Sequence, residues 1–110
     1  MQKQYRIRKN GQFQYVYRKG KGMSAREISL IYVRAAKLQV GFSVSKKVGD
    51  AVTRNKVKRR LRECFRSQLP KLKNGFYVFS ARPGAAQADF GTLYRSMRYL
   101  LKKQQLYKET

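Results

Sequence analysis

The chain of 110 residues fits one domain and rules out two, because separate cores usually need on the order of 100 to 200 residues each. Hydrophobic residues make up 42% of it, six Phe and eight Tyr among them, so a packed core is within reach and a disordered tail is excluded. Twenty-seven Lys and Arg against five Asp and Glu leave a net charge of +22, a self-repulsion that makes sense beside a polyanionic partner.

In chain order, Asn10 is a good helix cap, and Phe13, Val16 and Tyr17 follow at i, i+3 and i+4 spacing until Gly20, which predicts a short helix with an aromatic stripe. The stretch KGKGMSARE, Lys19 to Glu27, is rich in Gly and charge and predicts a turn with a ragged edge strand. ISLIYVRA, from Ile28 to Ala35, is β-branched and aromatic and predicts a strand that ends near the turn at Lys37 to Gln39. The next strand, Gln39 to Ser45, alternates: Val40, Phe42 and Val44 face one way, and Gly41, Ser43 and Ser45 the other. Its small-residue face would let an incoming chain come close to the sheet and forms a candidate groove floor.

A helix is expected from about Ala51, capped by Asp50 or Thr53. Val57, Leu61, Cys64, Phe65 and Leu69 fall on one side of it, while Lys56, Arg59, Arg60, Arg62 and Arg66 cover the rest. Pro70 closes this helix, Gly75 opens a strand over Phe76 to Ala81, and Arg82, Pro83 and Gly84 end that strand. A last helix starts at Asp89, puts Phe90, Leu93, Tyr94, Met97, Leu100 and Leu101 on one stripe, and reaches about Leu106. No repeat, low-complexity tract or linker divides the chain, so residues 1–110 read as a single domain with flexible ends at 1–9 and 107–110. The order α-β-β-β-α-β-α gives an α+β fold, a single-layer mixed sheet packed with helices.

Several chemistries are disfavoured. Cys64 alone cannot form an intramolecular disulfide, and without histidine there is no closed cysteine-based zinc site, which agrees with a reducing cytoplasm. The longest apolar runs, Leu30 to Val33 and Phe76 to Phe79, are strand-length, so neither export nor a membrane span is expected. Protein nucleases cleave phosphodiesters with carboxylates clustered on metal ions, or with histidine as acid and base. Here only Glu27, Asp50, Glu63, Asp89 and Glu109 are available, widely spaced, which argues against a self-sufficient nuclease.

The segment SKKVGDAVTRNKVKRRLRECFR, residues 45–66, joins a strand end, a Gly turn and a helix with cations over its polar face. A phosphate backbone would meet Lys46 and Lys47 at the turn, then the helix N-terminus, then a ladder of guanidinium groups. A merely solvated helix usually mixes charge signs, whereas here Asp50 and Glu63 offset nine cations, a balance that points to nucleic acid. Phe13 and Tyr17, one turn apart, fit either burial in the core or a platform on which bases of a single strand stack for about 1 to 3 kcal/mol each. Cys64 reads as a small buried hydrophobe, Asp89 as a helix cap, and the GKG of residues 20–22 as a turn.

SVSKKVGDAVTRNKVKRRLRE resembles the bacterial ribonuclease P protein component, whose signature joins a Ser-x-Ser-Lys-Lys strand end, a Gly-Asn-Ala-Val turn and an Arg-Asn-Arg helix. KNGQFQYVYRKG is similar to the family's first helix and FYVFSARPGA to the strand leading to its Arg-Pro turn, so the likeness runs over nearly the whole chain. The resemblance implies a protein that binds a large catalytic RNA and helps it remove the 5′ leader of precursor transfer RNA. Magnesium ions would be held mainly by the RNA, and this chain would supply no catalytic residue. By the same resemblance, Lys46, Lys47, Arg54, Asn55, Lys58, Arg59 and Arg62 would meet the catalytic RNA, and Phe13, Tyr17, Ser43 and Ser45 would line the cleft for the single-stranded leader. It also implies a left-handed crossover from the strand at 39–45 to the strand at 76–81, against the general rule.

Two positions depart from the family pattern. Lys56 stands where a second arginine is usual, keeping the charge without the bidentate fork, and Asp50 stands where asparagine is usual, keeping the cap while adding a negative charge. The family often carries an aromatic facing the leader on the strand that holds Tyr32, and the register of that strand decides on which face the ring lies. The expectation is therefore the accessory protein subunit of an RNA-based endoribonuclease, cytoplasmic, partnered by the catalytic RNA and the precursor leader, with no membrane or obligatory protein partner. The alternative is a basic ribosomal RNA-binding protein without processing activity, which composition leaves open and the motif stretch disfavours.

Overall fold

Four segments pair into one sheet in the computed structural model, which describes residues 5–108. They are β1 (Lys21–Ser24), β2 (Ile28–Val33), β3 (Gln39–Val44) and β4 (Phe76–Ala81), in the spatial order β1-β2-β4-β3. β2 pairs antiparallel with β1 and β4, and β3 pairs parallel with β4. Because parallel strands cannot be joined by a hairpin, the chain passes from β3 to β4 through a helix, α2 (Ala51–Arg66). With α1 (Asn10–Lys19) before the sheet and α3 (Phe90–Lys103) after it, the α+β order is the expected one.

The pleat sorts the side chains. Leu30, Phe42, Tyr77 and Phe79 point to one face, where Leu61 and Phe65 of α2 and Met97 and Leu100 of α3 bury completely against them. Burial of each such aliphatic or aromatic side chain contributes about 1.5–3 kcal/mol. Val78 points to the other face and forms a smaller cluster with Ile7 and Val16, covered by α1 alone. The sheet is therefore closed by two helices on one side and only partly covered on the other.

The helix ends differ from expectation in ways their hydrogen bonds explain. Asp50, not Thr53, caps α2: its carboxylate accepts from the Thr53 N–H at 2.8 Å, and Asp89 caps α3 from Thr92 in the same way. α1 has no side-chain cap; Asn10 is its first helical residue, and the Lys9 carbonyl accepts from Gln12 and Phe13. α2 stops at Arg66, ahead of Pro70, because the Ser67 hydroxyl and the Gln68 amide both donate to the Cys64 carbonyl. Leu69 and Pro70 then lie in a separate 3₁₀ turn, Leu69–Lys71. α3 ends at Lys103, shortly before Gln105 takes a positive φ of 58°. On α3, Phe90 is exposed, while Tyr94 is half-buried and packs against the core, their rings stacked 6.1 Å apart.

Ile7 and Tyr107, within the segments expected to be flexible, are tied to the body. Ile7 is buried and its N–H bonds the Val40 carbonyl, and Tyr107 bridges to Leu72. Expectations for residues 1–4 and 109–110 lie outside the described residues. Among the described residues, no helix is long and apolar enough to cross a membrane.

Candidate nucleic-acid interface

On the partly covered face, α1 lies across three strands. Its Phe13 ring sits on Gly41 of β3, so close that a Cβ at Gly41 would come within 2.5 Å of the ring, and Val16 packs over Val78 of β4. At the far end, Gly20 meets Ile31 of β2. Tyr15 leans toward the start of β4, where its ring meets Phe76 edge-on at 6.3 Å. At about 100° per residue, Tyr17 therefore emerges on the opposite flank of α1, toward the C-terminal ends of β3 and β4. It is 41% exposed.

The sheet floor beyond that flank is a row of hydroxyls. Ser29 of β2 pairs across to Ser80 of β4, and Ser80 to Ser43 of β3, while Ser24 of β1 extends the row beyond Ser29. Ser29, Ser43 and Ser80 are each half-buried. Ser45 follows Ser43 just beyond the strand and is exposed. Of this row only Ser43 was singled out from the sequence.

The basic helix supplies the third side. Arg54, Lys58 and Arg62 recur every four residues, and Lys58 and Arg62 close a hollow of about 150 Å³ together with Phe13, Gly41 and Arg6. Asn55 and Arg59 lie next to them on the same flank and are exposed, and Lys46 and Lys47 stand exposed in the 3₁₀ turn Lys46–Val48. The residues expected to bind catalytic RNA thus form one surface that adjoins the aromatic flank of α1. Arg60 is different: it turns to the other side of α2, where Nη1 donates to the Ala88 carbonyl at 3.2 Å. Nε of Arg54 is the single buried side-chain polar atom without a hydrogen-bond partner among the described residues.

The electrostatics are one-sided. The Thr53 N–H bond to its carboxylate holds Asp50 below the usual carboxylate range, with smaller help from Arg54 and Lys56, so it stays ionised at neutral pH. One ion pair is present among the described residues, Glu63 to Arg66 at 3.7 Å, which leaves the cations of the Arg54 flank without a carboxylate partner there. Tyr32 does not join the cleft. Its ring lies on the α2/α3 face, edge-on to Tyr77 at 4.9 Å, its hydroxyl bonds the Asn74 carbonyl, and Ile31 takes the cleft face instead. Buried among apolar groups, the Cys64 thiol is pushed up to about 11, as befits an inert core residue.

Residues 1–105 match the sequence model of the Ribonuclease P family. This chain belongs to the ribonuclease P protein family. It is similar to the ribonuclease P protein component of Caldanaerobacter subterraneus subsp. tengcongensis, 45% identical over 94% of this chain and 92% of that one. The protein component of Oceanobacillus iheyensis is 39% identical over 100% and 94%. Among solved structures, the RNase P protein of Staphylococcus aureus superposes with a TM-score of 0.88 at 32% identity, covering 94% of this chain and 98% of that one. The Thermotoga maritima protein gives 0.80 at 27%, covering 89% and 96%. Family membership makes the chain a protein component of ribonuclease P, a ribonucleoprotein of transfer-RNA processing, and implies an RNA partner.

Proposed function

We propose that this chain binds the catalytic RNA of ribonuclease P through the Arg54 flank of α2 and holds the single-stranded 5′ leader of precursor transfer RNA in the cleft beside α1. The observation that carries the proposal is the shared hollow: Phe13 on Gly41, closed by Lys58 and Arg62. A single strand needs rings to stack on and cations along its backbone, and here the two meet over Gly41 at a strand edge, with the serine row next along the sheet. Phe13 and Tyr17 serve as stacking surfaces, while Ser43, with Ser29 and Ser80, offers hydroxyls to the leader's sugars and phosphates. Ser45, Lys46 and Lys47 continue this surface toward the RNA, where Arg54, Asn55, Lys58, Arg59 and Arg62 contact phosphates.

Hydrolysis belongs to the RNA and to magnesium held mainly by it. The four carboxylates among the described residues are engaged separately: Glu27 accepts from Ser96, Asp50 and Asp89 cap helices, and Glu63 pairs with Arg66. None gathers with others into a metal-binding group. The chain's work in this cytoplasmic ribonucleoprotein is to neutralise phosphates and grip the leader. The direct test compares the affinity of the reconstituted holoenzyme for leader-bearing precursor and for mature transfer RNA. Tyr17→Ala should weaken precursor binding by about fivefold or more, the loss of one stacked base, and leave mature transfer RNA unchanged. Equal losses for both would refute the cleft assignment.

A further inference from the structure

A second aromatic and cationic pocket lies on the far side of the molecule. It opens between α3, the 3₁₀ turn Leu69–Lys71 and the C-terminal tail, and encloses about 620 Å³, within the range of small-ligand sites. Its walls include the rings of Tyr94 and Tyr107 together with Pro70, and its rim carries Lys71, Arg98, Lys102 and Lys108. α3 covers the face of the sheet opposite to α1, so this pocket is separate from the cleft.

The walls are fixed by the fold. The Tyr107 hydroxyl donates to Oε1 of Gln68, which is buried and whose amide in turn donates to the Cys64 carbonyl at 3.0 Å. The tail backbone is strapped to the turn by Lys108 N–H to the Lys71 carbonyl at 2.7 Å and Lys73 N–H to the Leu106 carbonyl at 2.9 Å. Arg98 lies with its guanidinium carbon 6.0 Å from the centre of the Tyr94 ring, which sets a planar cation beside an aromatic face. No carboxylate of the described residues lines the pocket.

We propose that this pocket binds one unpaired nucleotide of a structured RNA, its base against Tyr94 and Tyr107 and its phosphate on Arg98 with Lys71 or Lys102. Rings alone would suit an apolar peptide and cations alone any anion; rings framed by cations are what a nucleotide presents its two halves to. Such a contact would let RNA engage the protein from the α3 side as well as from the cleft side. The inference rests on the pocket's own chemistry and stands or falls independently of the leader cleft.

Nuclear magnetic resonance of the full chain titrated with adenosine 5′-monophosphate tests it. The expected result is saturable shifts at Lys71, Arg98 and Tyr107, and intermolecular Overhauser contacts between adenine protons and the Tyr94 or Tyr107 rings. Arg98→Gln should weaken binding at this pocket by about tenfold, as loss of a charge-assisted hydrogen bond does. Lys19→Gln, which removes the same charge from the exposed end of α1 on the opposite face of the sheet, should leave it unchanged. Lys102→Gln provides a second rim variant should Arg98→Gln disturb the fold. Identical shifts from inorganic phosphate without ring contacts from the nucleotide would reduce the pocket to an anion site and overturn the proposal. Tighter binding of an acidic hexapeptide at the same resonances would overturn it in favour of a protein-docking surface.

Discussion

Gly41 decides how close α1 comes to the sheet. Any side chain there meets the Phe13 ring, so Gly41→Ala must push the ring out of its seat, at about 1–3 kcal/mol if the neighbours cannot yield. The variant should lower the melting temperature and the affinity for leader-bearing precursor together, whereas Tyr17→Ala should lower the affinity alone; calorimetry beside binding separates the two. Cys64 makes a simpler case. With its thiol raised to about 11 in the fold, it should resist alkylation at pH 8 until denaturant is added, and rapid native labelling would contradict its burial. The raised value also fixes a sign: the folded chain keeps the proton that the unfolded chain loses near 9.0, so this contribution to stability is complete below that pH and fades as pH rises toward 11. Burial raises Tyr77 in the same direction. At this scale the sequence was readable where chemistry is local. It could not show that Ser29 and Ser80 share a row with Ser43, or that Tyr32 turns from the cleft, because cross-strand register is a tertiary property.

Among the elements, α2 separates two kinds of arginine that are neighbours in sequence. Arg59 is exposed on the flank that adjoins the cleft, and Arg60 holds the Ala88 carbonyl of the connection before α3. Arg59→Gln should reduce the slope of log affinity against log salt for RNA by about one, with no loss of melting temperature. Arg60→Gln should do the reverse, and a matching change of slope in both would show that the helix contacts RNA on all sides. The caps follow the same logic under acid. Thr53 and Thr92 hold Asp50 and Asp89 below their usual range, so their contribution is complete above the ordinary carboxylate value and is lost as pH falls through the lowered one. Strands β3 and β4 were legible to within a residue because alternation marks the first and Gly75 opens the second. The end of α2 was not, because the Gln68 side chain bonds the Cys64 carbonyl and the helix stops at Arg66, four residues before the proline that sequence rules favour.

Across the whole molecule, a charge of +22 repels itself and destabilises the compact state when no RNA is bound. Raising salt from about 0.01 M to about 0.1 M shortens the screening length from about 30 Å to about 10 Å, which should raise the melting temperature of the free protein. A melting temperature that stays level or falls would mean that the fold has already compensated its charge. The architecture also explains why fold class and partner were legible from sequence while the α3 pocket was not. Charge balance and periodicity accumulate over many residues, but Tyr94, Pro70 and Tyr107 come together only through the tail's bonds to the turn. Under the proposed function this chain is an accessory subunit and RNA performs the cleavage. The most direct test is cleavage of a precursor transfer RNA at limiting magnesium by a bacterial ribonuclease P RNA, with and without the protein, beside a protein-only control. Stimulation that requires the RNA is the expected result; cleavage by the protein alone, or no stimulation at all, would overturn the proposed function.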